Sequence, residues 1–552
     1  MSTNNKSNTN FLVQGSILAM ASIISRVIGL IYRIPLTAII GNKGNDYYGC
    51  AFEIYNILLI ISSYSLPLAV SKLISADISL GRKKNAYRVL KCALIFGLTT
   101  GTIAAGILFF GAEYITGTIM KTPYSIFAVK ILVPILIVVA VLGVMRGFFQ
   151  GLGTMMPSAV SQILEQIANA IVSVWAAYVL FQYGTKVGNI LGNPDNYAAA
   201  YGAAGGTLGT GVGAVVALLF VSFVLLTYLK VFKRQMKRDR RANVDSYSYL
   251  FKILVITIVP VLLSTTIYNC NAILDQAIFK NIANIQGYTA NEISEWNGIY
   301  TGKYKTLINV PISIASSLAA SSVPALTAAY TSGDKDGVRS QINTAIRFIM
   351  VVAFPCAVGM GVLASPILQL LFHDSSELAA SMLQVGAMSI VFFSLSTLSN
   401  GLLQGINRMK EPVKNASIAL MLHIGVLVAL MFVLKLNIFA VVFANAFFGF
   451  MMCILNAYSV KKYSGYKQEF KRTFLIPGIS AVVMGVVVFL VYKLILYVFR
   501  INSIATLISI LFGVVTYAVF LLLLKGLTEE EIRKFPKGAS LVRLAKKMHL
   551  LH

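Results

Sequence analysis

Charge is scarce in this chain of 552 residues: Asp, Glu, Lys and Arg together make up 12% of it, and only 20 residues are acidic. Soluble globular domains carry about twice that share, so a water-exposed fold is excluded. Cysteine is scarce too. Cys50, Cys92, Cys270, Cys356 and Cys453 lie far apart and form no CxxC pair. That argues against a disulfide framework or a thiolate metal site, and the five read as small buried residues. No Walker A sequence, HExxH, GxSxG or carboxylate cluster with metal-ligand spacing occurs. Catalysis and a bound cofactor are therefore not expected. Any transport would draw on the membrane potential, a proton or sodium gradient, or the substrate's own gradient.

What the chain has in abundance is apolar sequence. Hydrophobic residues make up 57% of it, with a mean hydropathy of +0.77. About fourteen apolar segments long enough to cross a bilayer recur from end to end. The expected fold is an all-α polytopic membrane protein. The polar start, MSTNNKSNTN, precedes an apolar run without an AxA-like cleavage site, which reads as a retained first span. The formal charge of +26 sits in short loops: Arg82, Lys83, Lys84, Arg88 and Lys91 after the second segment, residues 233–241 after the sixth, Arg408, Lys410 and Lys414 after the tenth, and Lys461, Lys462, Lys467, Lys471 and Arg472 after the twelfth. Every cluster follows an even-numbered segment, so both termini are expected in the cytoplasm. Odd-numbered segments are followed by sparse charge, such as Lys43 with Asp46. No nucleic-acid-binding motif accompanies the basic residues, and the basic stretch 230–252 reads as a linker beside anionic lipid.

The chain also repeats itself. RGFFQGLGTM at 146–155 matches NGLLQGINRM at 400–409, with Gly, Gln, Gly and Met at identical spacing, and Pro157 or Pro412 follows. The copies end segments four and ten, so the repeat is six spans long and both copies have one orientation. The expected organisation is an N-terminal lobe at 1–232, a basic linker at 233–249, a C-terminal lobe at 250–460, two further spans within 461–525 and a basic tail at 526–552. Two like-oriented six-helix lobes with a polar interior are a physical basis for alternating access.

The first segment carries Arg26 and Arg33 in SRVIGLIYRIP. Seven residues are close to two helical turns, so the pair shares a stripe with Gly29 and Leu30. Intramembrane arginine costs about 2.5–3.5 kcal/mol on insertion scales. Either the stripe faces a wet or anionic cavity, or Arg26 pairs with a carboxylate or snorkels. Segment five, PSAVSQILEQIANA, places Gln162, Glu165, Gln166 and Asn169 at i, i+3, i+4, i+7 on one face. That face is a cavity wall with Glu165 balancing Arg26 or Arg33, or an interhelical hydrogen-bonded seam. Segment eight adds Lys303 and Lys305. Asp275, near an outer end and open to facing water, and Glu53 are candidates for ion coupling. Arg146 is expected to snorkel, His423 to be packed, and Pro35, Pro67, Pro311, Pro324 and Pro355 to kink their spans.

The pieces SRVIGLIYRIPL, RGFFQGLGTMMP and PSAVSQILEQ resemble the polysaccharide-biosynthesis and stage V sporulation protein B branch of the multidrug/oligosaccharidyl-lipid/polysaccharide exporter superfamily, close to the MurJ-type lipid II flippases. The resemblance covers essentially the whole chain. It implies two six-helix lobes in a V, a groove for an undecaprenyl tail on spans 13 and 14, and a lipid-linked cell-wall precursor as substrate, with lipid II foremost. It further implies pyrophosphate binding by Arg26 and, one residue out of register, Arg33, with Lys305 near the place of a third arginine. Membrane lipids and cell-wall synthesis enzymes are the implied partners, in a bacterial cytoplasmic membrane. The chain departs from the flippases in lacking arginine at 51–67, and Lys305 offers a point charge where they have a guanidinium fork.

Overall fold

A computed structural model describes residues 2–237, 244–529 and 538–547; these contain helices and no strand. The centre of the expected basic linker and much of the tail lie outside the described residues. Contacts divide the chain into two compact units, Met1–Gly302 and Lys303–His552. The first holds α1 (Ser2–Leu59), α2 (Leu66–Ser79), α3 (Lys83–Tyr114), α4 (Ile126–Gly151), α5 (Met156–Leu191), α6 (Pro194–Lys237), α7 (Tyr247–Ile285) and α8 (Ala290–Ile299). The second holds α9 (Lys305–Thr331), α10 (Lys335–Val362), α11 (Ala364–Phe372), α12 (Glu377–Gly386), α13 (Ser389–Gly405), α14 (Lys410–Phe432), α15 (Ile438–Ser464), α16 (Ile476–Phe499), α17 (Asn502–Leu523) and α18 (Gly538–Lys547). Although α7 and α8 follow the basic linker, they pack within the first unit.

Among the described residues ten helices are long and apolar enough to cross a membrane, or eleven if the bent pair α12 and α13 forms one span. The protein is thus a multi-pass membrane protein. The apolar stretch Met20–Ser79 is continuous for 60 residues, about 90 Å of helix against a hydrocarbon core of about 30 Å. Its break falls at Gly41, with φ 67° and ψ −176°, a conformation that strains any side chain. Backbone dihedrals stay helical at Pro35, where a kink was expected, and the break in the helix falls six residues further on. Asn45 secures the break: its Nδ2 donates to the Gly41 and Thr37 carbonyls at 2.7 and 3.3 Å, and Thr37 Oγ1 donates to its Oδ1 at 3.2 Å. Pro67 sits in the first turn of α2, just after a π turn at Ile60–Tyr64.

The duplicated motif is a packing device. A Cβ at Gly147 would stand 2.7 Å from the Pro67 carbonyl oxygen, and one at Gly151 2.7 Å from Ile74 Cβ, so the glycines let α4 lie against α2. In the second unit Gly401 and Gly405 do the same for α13 on α9: their Cβ atoms would meet Ala319 Cβ at 2.8 Å and Leu326 Cδ2 at 3.0 Å. The tightest pair in the first unit is α5 with α6, where Gly205, Gly209 and Gly213, spaced every four residues, face the α5 backbone. Small residues at this spacing let membrane helices associate through dispersion and weak polar contacts, where no hydrophobic effect drives them together.

A partly buried ion pair anchors the start of the second unit. Lys303 Nζ lies 2.5 Å from Asp374 Oδ2, in the turn after α11. Burial pushes the Asp374 carboxyl up, but hydrogen bonds from Lys303 and Ser376 and the Lys303 charge outweigh it and hold it below the usual carboxylate range. A lowered folded pKa contributes stability that is complete above the ordinary value of about 3.9 and is lost as pH falls through the folded value. Asp374→Asn should therefore lower the thermal midpoint at pH 7, by about 3 kcal/mol in free energy. The gap to the parent should shrink once pH drops below about 4, which melts of the detergent-solubilised protein at pH 7 and pH 3 would read.

Candidate functional site

The polar face of α5 is divided between two neighbours. Three of its residues turn toward α1. Ser22 Oγ donates to Gln162 Oε1 at 3.2 Å, and Asn169 Nδ2 donates to Tyr32 OH at 3.2 Å. Between them Gly29 faces Gln166, whose Oε1 would lie 3.9 Å from a Cβ there. Ser173 Oγ, 2.8 Å from both Asn169 Oδ1 and the Gly206 carbonyl oxygen, links this seam to α6. The hydrogen-bonded seam foreseen as one of two alternatives is therefore present, and the Gly213 contact with the Glu165 backbone holds it in place from behind.

Glu165 turns the other way. Arg146 of α4 places Nη2 2.8 Å from Glu165 Oε2, and its Nε donates to Ser161 Oγ at 2.8 Å. This corrects two expectations: Glu165 is matched by Arg146 and not by Arg26 or Arg33, and Arg146 does not snorkel. The cause is local. Only residues 152–155 separate α4 from α5, so the helices are antiparallel neighbours and Arg146 meets the first turns of α5. The short connection was a sequence signal for this pair.

Arg33, half-buried, lays its guanidinium 4.3 Å from the ring centroid of the buried Tyr48, a cation–π contact that fixes it without neutralising it. Arg26, about 10 Å along the same helix, is exposed. Lys305, half-buried, opens α9 in the second unit, directly after a π turn at Tyr300–Tyr304. Glu53 is half-buried on α1. Asp275, read as either an ion-coupling candidate or a water-facing group near an outer end, is buried to 2% exposure on α7, which removes the water-facing alternative. His423 is fully buried, with Nδ1 2.8 Å from the Ala444 carbonyl oxygen, as expected of a packed histidine.

A second polar centre was not foreseen. Asp46, read from sequence as a loop charge, is buried with Lys280 of α7: Nζ to Oδ1 is 2.6 Å. Thr122 Oγ1 lies 2.6 Å from the same ammonium, and Asn297 Nδ2 of α8 donates to Asp46 Oδ1 at 2.6 Å. The partners are 234 residues apart, and no local pattern announces them.

Chemically, α1, the helix that the hydroxyl and amide seam joins, carries two cations, and Glu165, at the edge of the polar face of α5, is paired with Arg146 outside that seam. Such a surface suits an anion carrying hydroxyl or amide groups. Among the described residues no group of three or more His, Cys, Asp or Glu could hold a metal ion.

Residues 12–329 match a family model described as polysaccharide biosynthesis protein, and residues 305–431 match one described as MatE. The lipid II flippase MurJ of Bacillus subtilis (strain 168) is 26% identical over 504 residues, covering 86% of this chain and 88% of that protein. Stage V sporulation protein B of the same organism is 22% identical, covering 82% and 84%. Among solved structures, lipid II flippase MurJ in an inward closed conformation superposes with a TM-score of 0.64 at 15% identity, over 91% of this chain and 97% of that one. An inward-facing multidrug resistance MATE family transporter superposes with a TM-score of 0.61 at 15% identity, over 82% and 100%. Both likenesses establish the fold.

Proposed function

The chain belongs to the polysaccharide biosynthesis protein family, within the MOP exporter superfamily, and from that membership we propose that it is a flippase for a polyprenyl-pyrophosphate-linked saccharide, most specifically lipid II. The observation that supports this reading is the placement of Arg26 and Arg33 two turns apart on α1, the helix that hydrogen-bonds the polar face of α5, while Glu165 is engaged by Arg146 and Arg33 lies over the Tyr48 ring. Guanidinium groups bind a pyrophosphate through charge-assisted, bidentate hydrogen bonds. Saccharide hydroxyls match the amides of Gln162, Gln166 and Asn169. The polyprenyl chain stays in lipid, along the spans within 461–525. With both termini in the cytoplasm of a bacterial cell, the headgroup enters from the inner leaflet and leaves outside by alternating access. The driving force is the membrane potential, with a proton or sodium gradient acting through Asp275 or Glu53, and the protein transports without catalysing. At about 2.3 kcal/mol per charge per 100 mV, the potential alone favours outward movement of a net anion.

The MatE match over residues 305–431 favours a second reading, cation-coupled drug export. Complementation separates the two. In a strain depleted of its lipid II flippase, the parent protein should restore growth, and the Arg26→Ala, Arg33→Ala double variant at equal membrane level should not. Intact rescue by the double variant, with altered drug tolerance, would move the assignment to export. Failure of the correctly inserted parent would move it to another lipid-linked saccharide.

A further inference from the structure

A cavity of about 530 Å³ in the second unit lies apart from the α1–α5 seam, where the start of α10 meets the segment joining α15 to α16. Its lining includes Arg339, Asn343, Gly465, Tyr466, Lys467 and Glu469. The acidic member is already engaged. Glu469 pairs with the buried Arg347 and has Arg472 Nε at 3.9 Å. Tyr466 is fixed by its hydroxyl, which donates to Asn343 Oδ1 at 3.0 Å. Among the described residues, the carboxylate partner of Arg339 is Asp336, an exposed contact at 3.4 Å, of a kind that contributes little. The cavity is therefore lined by two cations, Arg339 and Lys467, whose charge its one carboxylate does not cancel.

Two further features say what enters. Gly465 adopts φ 66°, and a Cβ there would stand 3.1 Å from Arg339 Nη2, so the missing side chain leaves room for the guanidinium across the mouth of the turn. Beside the cavity, Phe470 is 67% exposed and stacks on Phe474 at 5.5 Å, next to exposed Lys471 and Arg472 and immediately before α16 enters the membrane. Exposed aromatic rings flanked by basic residues at a span's start mark the headgroup level of a bilayer. We propose that this cavity is a binding site for the phosphate of an anionic phospholipid, with Arg339 and Lys467 holding the phosphate and Phe470 lying among the acyl chains. Charge bias assigns the same face to the cytoplasmic leaflet, where basic pockets between spans take anionic headgroups. The inference does not depend on which substrate the α1 arginines hold.

The test uses the full chain in detergent. Titration with phosphatidylglycerol, read by native mass spectrometry against phosphatidylcholine, should show a retained anionic lipid. R339Q/K467Q should weaken that binding about 30-fold, since each basic residue near the surface contributes about fivefold. Both residues are exposed, and an unchanged melting midpoint would confirm an intact fold. Gly465→Ala should give a smaller loss by displacing Arg339. A charge-matched control, K435Q/K493Q, should bind like the parent. Parent-level binding by R339Q/K467Q overturns the site, and an equal loss in the control overturns it by showing a bulk-charge effect. Displacement of the lipid by millimolar inorganic phosphate would reassign the cavity to a soluble phosphate.

Discussion

Asp46→Asn is expected to destabilise the first unit by about 3–5 kcal/mol, the range for removing one partner of a buried ion pair. Lys280 is 0% exposed, and the variant leaves its ammonium beside a neutral amide with no water to solvate it. The loss should show as a lower midpoint when the detergent-solubilised protein is heated and the monodisperse fraction is measured. The paired variant Asp46→Asn, Lys280→Met should recover most of the loss, because deleting both charges also deletes the desolvation penalty. A single variant that melts with the parent would refute the importance of the pair. The same measurement bears on architecture, because Asp46 and Asn297 tie α1 to α8 and Lys280 adds α7.

Gly209→Leu should be nearly as damaging, for the opposite reason of added volume. A Cβ at Gly209 would overlap Ser173 Oγ and the Ser173 backbone nitrogen, and a helix backbone cannot rotate away as a side-chain tip can. The interface between α5 and α6 must then open, at about 3 kcal/mol or more. Opening it would carry Asn169 and Glu165 away from Tyr32 and Arg146, so transport should fall together with stability. Gly106→Ala is the control, since a Cβ there meets nothing within 4 Å. It should be neutral or gain up to about 1 kcal/mol from helix propensity. Equal melting of the Gly209 and Gly106 variants would show that the close approach of α5 and α6 is not needed.

The candidate site was partly legible. The i, i+3, i+4, i+7 pattern correctly put Gln162, Gln166 and Asn169 on a common polar face, because helical periodicity is local. Glu165 obeyed the same periodicity yet belongs to another interface. It sits at the edge of that face, and the short connection to α4 brings a competing cation to it. The RGFFQG and NGLLQG copies were recognisable as a duplication from spacing alone. That their glycines seat α4 on α2 and α13 on α9 was not, since sequence does not state what a missing Cβ leaves room for. Gly41 in place of Pro35 as the break in α1 follows the same logic. A proline can be absorbed within a helix at a cost, while a positive φ can be taken up freely only by glycine.

The amino-acid sequence by itself determined the all-α membrane class, the internal repeat and the two arginines on one stripe of the first span. Each of these depends on composition or on spacing within a few helical turns, where geometry is set by the helix itself. The basic clusters expected in loops lie instead mostly within helix ends, Lys83, Lys84, Arg88 and Lys91 in α3, Lys410 and Lys414 in α14, and Lys461 and Lys462 in α15. Only the tertiary structure decided the charge pairs: Arg146 with Glu165, Lys280 with Asp46, Lys303 with Asp374, and the Arg339 and Lys467 cavity around a carboxylate already taken. Burial makes an unpaired charge so costly that every such group must find a partner, but which partner depends on the helices that become neighbours. That choice is made by close packing across interfaces between segments up to 234 residues apart.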